Sequence, residues 1–223
     1  SVFFVSTIIH LYRQRMALQK HQAAMEKMQL TTELKYLKSQ LNPHFLFNAL
    51  NSIFFLIKKD PDQAADALAG FSDILRYQLY QTNSDQIPLA DELESLQKYI
   101  QLAALRKSSD LDIKTKLPLS PNGAMITPLL LLPLVENAFK HTGHDRGFIY
   151  IEGDLMDHQF HFLVRNTASE EQNAMKQVEE EGGIGLTNIR RRLNLLYPNR
   201  HQLKIHKSSS EFSVDLSLDL NQK

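Results

Sequence analysis

His44 stands directly after Pro43 in the string Leu37-Lys-Ser-Gln-Leu-Asn-Pro-His-Phe-Leu-Phe-Asn-Ala-Leu-Asn-Ser-Ile53. The amides of Asn42, Asn48 and Asn51 flank it, and Phe45, Leu46, Phe47, Leu50 and Ile53 supply apolar surface. A neutral imidazole nitrogen in such a setting is a nucleophile near pH 7. Taken in isolation, a histidine here would read instead as a core residue satisfied by an asparagine. Pro43 removes a backbone donor, so a kink is expected one turn upstream.

A second constellation is Glu136, Asn137, Lys140 and His141, all within about one helical turn after the apolar run Pro128-Leu-Leu-Leu-Leu-Pro-Leu-Val135. Glu136 and Lys140 share one helix face, as do Asn137 and His141. A hard amide oxygen such as that of Asn137 can join phosphate oxygens around Mg²⁺, and Lys140 can neutralise phosphate charge. By itself a Glu–Lys pair on a helix is a surface salt bridge worth little. A third cluster is Gly182, Gly183 and Gly185, three of only eight glycines, running into Leu-Thr-Asn188-Ile-Arg-Arg-Arg-Leu193. Glycines before a helix let the backbone approach phosphate, and the helix start presents free N–H groups to it. Alone, that pattern is also compatible with a plain loop. Of the three successive arginines, which wrap around a helix, at least one is expected to be solvated.

The elements that must hold these residues change character along the chain. The apolar, β-branched residues 1–12 give way to Arg13, Arg15 and Lys20. The run is shorter than the ~20 residues of a full span and lacks the basic start of a signal peptide. It reads as the cytoplasmic end of a truncated transmembrane helix, with basic residues on the inner side, or as a short helix buried against the domain; the first is favoured. Residues 13–41 carry Met16, Ala23, Leu30, Leu34, Leu37 and Leu41 at steps of three and four, with Lys20 and Lys27 in the weak places. This is a leaky heptad, either a dimeric signalling helix or a plain amphipathic helix folded back on its own domain.

Helical patterning continues past His44 to Lys58, turns at Lys59-Asp60-Pro61-Asp62, and resumes with Ala64, Leu68, Phe71, Leu75 and Leu79 on one face. A third helix is expected from about Pro88, with Leu93, Leu96, Ile100 and Ala103 inside. Beyond Leu111 five stretches alternate apolar and polar: Leu111–Leu117, Gly147–Glu152, Gln159–Val164, Gln202–His206 and Phe212–Leu218. Helices are expected between them at Thr127–His141 and Gly185–Leu196. The fold class is therefore α+β: a helical bundle, then a two-layer sandwich, with the boundary near Ser108–Asp110.

Composition limits the partners. A chain of 223 residues with 43% hydrophobic residues can pack a core. Its zero formal net charge points to no direct nucleic-acid binding. Without cysteine it has no disulfides and no thiolate metal sites.

The segment Gln40-x-Asn42-Pro43-His44-Phe45-Leu46-Phe47-Asn48 resembles the phospho-acceptor segment of the LytS-like sensor histidine kinases. Leu-Val-Glu-Asn-Ala-Phe-Lys-His resembles the N box of the GHKL nucleotide-binding superfamily, and Gly182-Gly-Ile-Gly-Leu-Thr-Asn-Ile-Arg-Arg-Arg-Leu193 its G box. Leu89, Glu92, Tyr99, Ile100 and Arg106 resemble the linker helix of the same kinases, most of them as packing positions. The likeness runs over roughly residues 30 to 220, with the motifs in the expected order.

That resemblance implies residues 42–108 as dimerisation and phosphotransfer helices and residues 109–223 as an ATP-binding catalytic domain. It implies ATP-dependent phosphorylation of His44, with transfer to an aspartate of a response regulator. Asn137 is then the Mg²⁺ ligand and Glu136 the carboxylate that manages water or a proton. Lys140, His141, Asn166, Gly182, Gly183, Gly185 and Asn188 line the ATP site. A homodimer held at the cell inner membrane by its N-terminal segment is expected, with this region cytoplasmic. The polar stretch Thr167–Glu181 would serve as a lid.

Two departures stand out. Where the superfamily has Asp-x-Gly-x-Gly, this chain has Asn166-Thr167-Ala168-Ser169, keeping an acceptor oxygen but losing the charge that reads adenine. Phe45 stands where many histidine kinases place an acid after the phospho-acceptor, so the general base for His44 is unassigned. The alternative function is a degenerate kinase acting as a dimeric scaffold with weak nucleotide binding. A gyrase- or chaperone-type ATPase is disfavoured, having no need of the His44 segment.

Overall fold

A computed structural model of the chain describes residues 15–16, 43–80, 84–105, 107, 110–118, 121, 123–142, 147–168 and 184–221. The chain divides into two compact units, Ser1–Phe47 and Asn48–Lys223. Among the described residues no helix is long and apolar enough to cross a membrane. The expected membrane segment at 1–12, most of the heptad helix at 13–41 and nearly all of the lid lie outside the described residues.

Helix α1 is Pro43–Lys59 and α2 is Pro61–Tyr80. Both open on proline, at a position where a helix has no use for the missing N–H. Between them Asp60 accepts the N–H of Gln63 on Oδ1 at 3.0 Å, a side-chain cap. Helix α1 is apolar on two sides: Phe45, Ala49 and Ile53 are buried, and Phe47, Leu50, Phe54 and Ile57 on the opposite side are exposed.

Helix α2 packs against α3, Leu89–Ala104. The contact is tied by Lys98 Nζ to Asp73 Oδ2 at 2.7 Å and by the Tyr77 hydroxyl, which donates to Glu92. It turns the buried stripe of α2 to Ala64, Phe71, Ile74 and Gln78, leaving Leu68 and Leu79, expected inside, exposed. A two-residue strand β1, Ile87–Pro88, pairs antiparallel with β3, Met125–Ile126, so the start of α3 is fastened to the chain just before the N-box motif.

The remaining strands are β2 Leu111–Lys116, β4 Gly147–Met156, β5 Gln159–Thr167, β6 His201–Lys207 and β7 Glu211–Asp219. They form a mixed sheet in the order β2-β4-β5-β7-β6, with β2 parallel to β4 and the other pairs antiparallel. All five expected strands are present. Helices α4, Leu132–His141, and α5, Ile184–Leu196, cover one face. The register aligns Ile149 with Asn166, Ile151 with Val164 and Gly153 with Phe162, and β7 continues the rows with Val214, Leu216 and Leu218. These side chains, with Leu134, Val135 and Ala138 of α4 and Ile189 and Leu193 of α5, form the buried layer of an α+β sandwich.

Candidate nucleotide site

Helix α4 begins at Leu132, five residues later than the sequence pattern suggests. Residues 127–131 form a turn instead, with Leu129 at φ 55, a conformation that costs a leucine free energy and persists only where its surroundings impose it. Pro133 sits in the first turn of the helix, where its missing donor does no harm. The imposition comes from distant residues. Glu92 of α3 accepts the N–H of Leu129 on Oε2 at 2.9 Å and those of Leu130 and Leu131 on Oε1 at 3.0 Å each. Arg192 of α5 donates to the carbonyls of Pro128 at 2.6 Å and Leu129 at 2.9 Å. Thr127 N–H donates to the Tyr197 hydroxyl at 2.9 Å. The N–H groups of Thr127, Leu129, Leu130 and Leu131 and the carbonyls of Pro128 and Leu129 thus meet partners from α3, α5 or the residue just after α5.

Glu92 is buried, and burial raises its carboxyl above the ordinary carboxylate range, against the opposing pull of its donors. Burial and the neighbouring carboxylate likewise raise the Tyr77 phenol, so Tyr77 keeps its proton and donates. At the other end of α4, Lys107 Nζ donates to the carbonyl of Thr142 at 3.1 Å. Helix α4 therefore meets a carboxylate at its start and an ammonium at its end, the signs that suit its dipole.

On α4, Glu136, Asn137 and His141 are half-buried and Lys140 is exposed. The helix packs on β5 and on α5. Near the end of β5, Asn166 is 1% exposed and aligned with Phe160, Phe162 and Val164 on the helix-covered face. Its Nδ2 donates to the carbonyl of Thr167 at 3.0 Å, but its Oδ1 is buried with no partner among the described residues. A buried acceptor left unpaired costs about 1–3 kcal/mol, a cost that a ligand bearing an N–H donor would remove. That orphaned oxygen fits an amino-bearing base. Gly185 and Asn188 are exposed at the start of α5, whereas Gly182 and Gly183 lie outside the described residues. The structure thus brings Glu136, Asn137, Lys140, His141, Asn166, Gly185 and Asn188 onto three elements of one unit. His44 is the second residue of α1 and belongs to the other unit.

The histidine kinase family model matches residues 32–111, from before His44 through α3. The sensor histidine kinase BtsS of Escherichia coli K12 is 38% identical over 117 residues, 52% of this chain and 21% of that protein. The sensor histidine kinase YpdA of the same strain is 32% identical over 181 residues, 78% of this chain and 32% of that protein. Over these stretches the chain is similar to the LytS-like sensor histidine kinases. The sensor protein LytS of Staphylococcus haemolyticus is 30% identical over 208 residues, 88% of this chain and 35% of that protein. The chain spans between a fifth and about a third of these kinases' length.

Reading the sequence alone left Glu92 within a set of mostly packing positions and did not say which of the three arginines is solvated. The signal for Glu92 was available: a carboxylate beside Leu89, Leu93 and Leu96 on the inner face of α3. Of the three arginines, Arg190 and Arg191 are exposed, as expected for at least one, while Arg192 holds the strap.

Proposed function

We propose that this chain is the kinase region of a two-component sensor: it phosphorylates His44 at the expense of ATP and passes the phosphoryl group to an aspartate of a response regulator. The observation that carries the reading is the unpaired, buried Oδ1 of Asn166 on the strand against which the Asn137 helix packs. When bound, MgATP supplies the γ-phosphoryl group. A His44 ring nitrogen forms the bond to phosphorus as the bond to the leaving diphosphate breaks, and the ring gives up its proton.

Asn137 offers its amide oxygen to the metal, and Lys140 offers charge to the phosphates. Glu136, one position before Asn137 and half-buried, is the carboxylate that would hold a water or proton. Asn166 Oδ1 accepts from the base, and its Nδ2, committed to Thr167, keeps that oxygen aimed. Gly185, in the first turn of α5 with open space where a Cβ would stand, leaves the backbone accessible to the phosphates.

A homodimer is supported by α1, whose exposed Phe47, Leu50, Phe54 and Ile57 recur at steps of three and four, the seam of a helix that pairs with a second helix. Attachment to the inner membrane through the N-terminal segment is part of the same proposal.

Purified protein incubated with Mg²⁺ and γ-labelled ATP should take up label that acid removes and alkali does not, the behaviour of a phosphoramidate. A wild-type chain that takes no label while still dimerising would make it a scaffold, the reading favoured by the missing aspartate at 166.

A further inference from the structure

The start of α4 is capped from far away. Helices commonly satisfy their first N–H groups with a serine, threonine or aspartate at the cap itself, and here the cap position is Leu131, with no side-chain bond. The three N–H groups at and just before that cap position, of Leu129, Leu130 and Leu131, all go to one carboxylate 37 to 39 residues upstream, which fixes the chain as it enters the helix. The same carboxylate takes the hydroxyl of Tyr77 from α2. Helix α3 bears it, and the chain leaving α3 bears Lys107, which holds the last turn of α4 through Thr142. Lys98 of α3 adds a second tie to α2 through Asp73. A shift of α2 or a rotation of α3 therefore cannot leave α4 where it is without breaking buried hydrogen bonds.

We propose that Glu92 is a positioning residue for phosphoryl transfer, linking the α2–α3 hairpin to the helix that carries Glu136 and Asn137. The proposal rests on the kinase reading of that helix. A cap that served stability alone would not need the hydroxyl of another helix on the same oxygen that accepts Leu129. Leu129 is held at a positive φ by this grip and by Arg192, so releasing the carboxylate lets the strap relax and the helix start with it. Small displacements of metal and phosphate ligands have large rate consequences, whereas ground-state binding of nucleotide, spread over three elements, tolerates them.

Tyr77→Phe removes only the α2 end of the link and leaves the three amide bonds. In the full chain, its KM for MgATP should stay within about twofold of wild type while kcat for autophosphorylation falls about tenfold. Amide exchange at Leu129, Leu130 and Leu131 should stay slow in Tyr77→Phe and quicken in Glu92→Gln, whose oxygen can still accept but whose NH2 must face donors in place of the second oxygen. A Tyr77→Phe protein with wild-type kcat, or with KM rising in step with the loss, overturns the positioning role alone. A wild-type chain that takes no label overturns the kinase reading and this role together, which keeps the two failures apart.

Discussion

Thr127 donates its backbone N–H to the hydroxyl of Tyr197 at 2.9 Å, joining the strap before α4 to the residue just after α5. Both residues are buried, so this bond has no water to replace it. Tyr197→Phe strands a buried N–H and should cost about 1–3 kcal/mol of stability, read as a lower urea midpoint with unchanged slope. No change in midpoint would mean that the strap finds another acceptor.

Asn137→Ala removes the amide oxygen assigned to the metal and should abolish detectable autophosphorylation, since this chemistry depends on electrostatic stabilisation at the phosphates. Asn166→Ala removes an uncharged acceptor that is already unpaired in the free protein and should retain measurable labelling. Wild-type labelling by Asn137→Ala would contradict the assignment.

Asn166→Asp should have two opposite effects. The free protein loses the bond from Nδ2 to Thr167 and must bury a carboxyl group, so its melting temperature should fall. Binding of ATP should tighten relative to GTP, because charge-assisted hydrogen bonds are roughly twice as strong as neutral ones. Calorimetric titration of both nucleotides into both proteins measures this. Unchanged preference would show that the base does not meet residue 166.

The strands were legible because each is half-buried, and half-burial writes alternation directly into the sequence; Phe160, Phe162 and Val164 mark the inner face of β5, with Asn166 continuing their row. The motif residues of α4 were picked out differently, by their spacing of four along a helix and by the N-box resemblance. The start of α4 was not legible. Pro128-Leu-Leu-Leu-Leu-Pro133 reads as helix by apolarity, yet its amides answer to Glu92 and its carbonyls to Arg192, partners set by tertiary packing. The stripe of α2 was misplaced for a like cause, since its docking on α3 buries Ile74 and Gln78 in preference to Leu79. Asn166 was visible as a departure from the superfamily, but only the structure shows which of its two atoms is unpaired.

The Glu92 carboxyl has a pH consequence. Burial raises its pKa above the ordinary 4.5, so the folded chain binds this proton more tightly than the unfolded chain does. Its contribution to stability is complete below the unfolded value and is lost as pH rises through the folded one. Glu92→Gln cannot titrate, so the stability difference between wild type and Glu92→Gln should shift against the wild type as pH rises from about 4.5. Parallel stability curves across that range would show that the carboxyl stays at its ordinary pKa.

The central claim is that His44 alone receives the phosphoryl group. The chain has nine histidines, and the others serve as internal controls. Label from γ-labelled ATP should be acid-labile in the wild type, map to the peptide containing Pro43-His44-Phe45, and vanish in His44→Ala while nucleotide binding persists. Label that survives in His44→Ala, or that resists acid as a phosphoester does, would contradict the account.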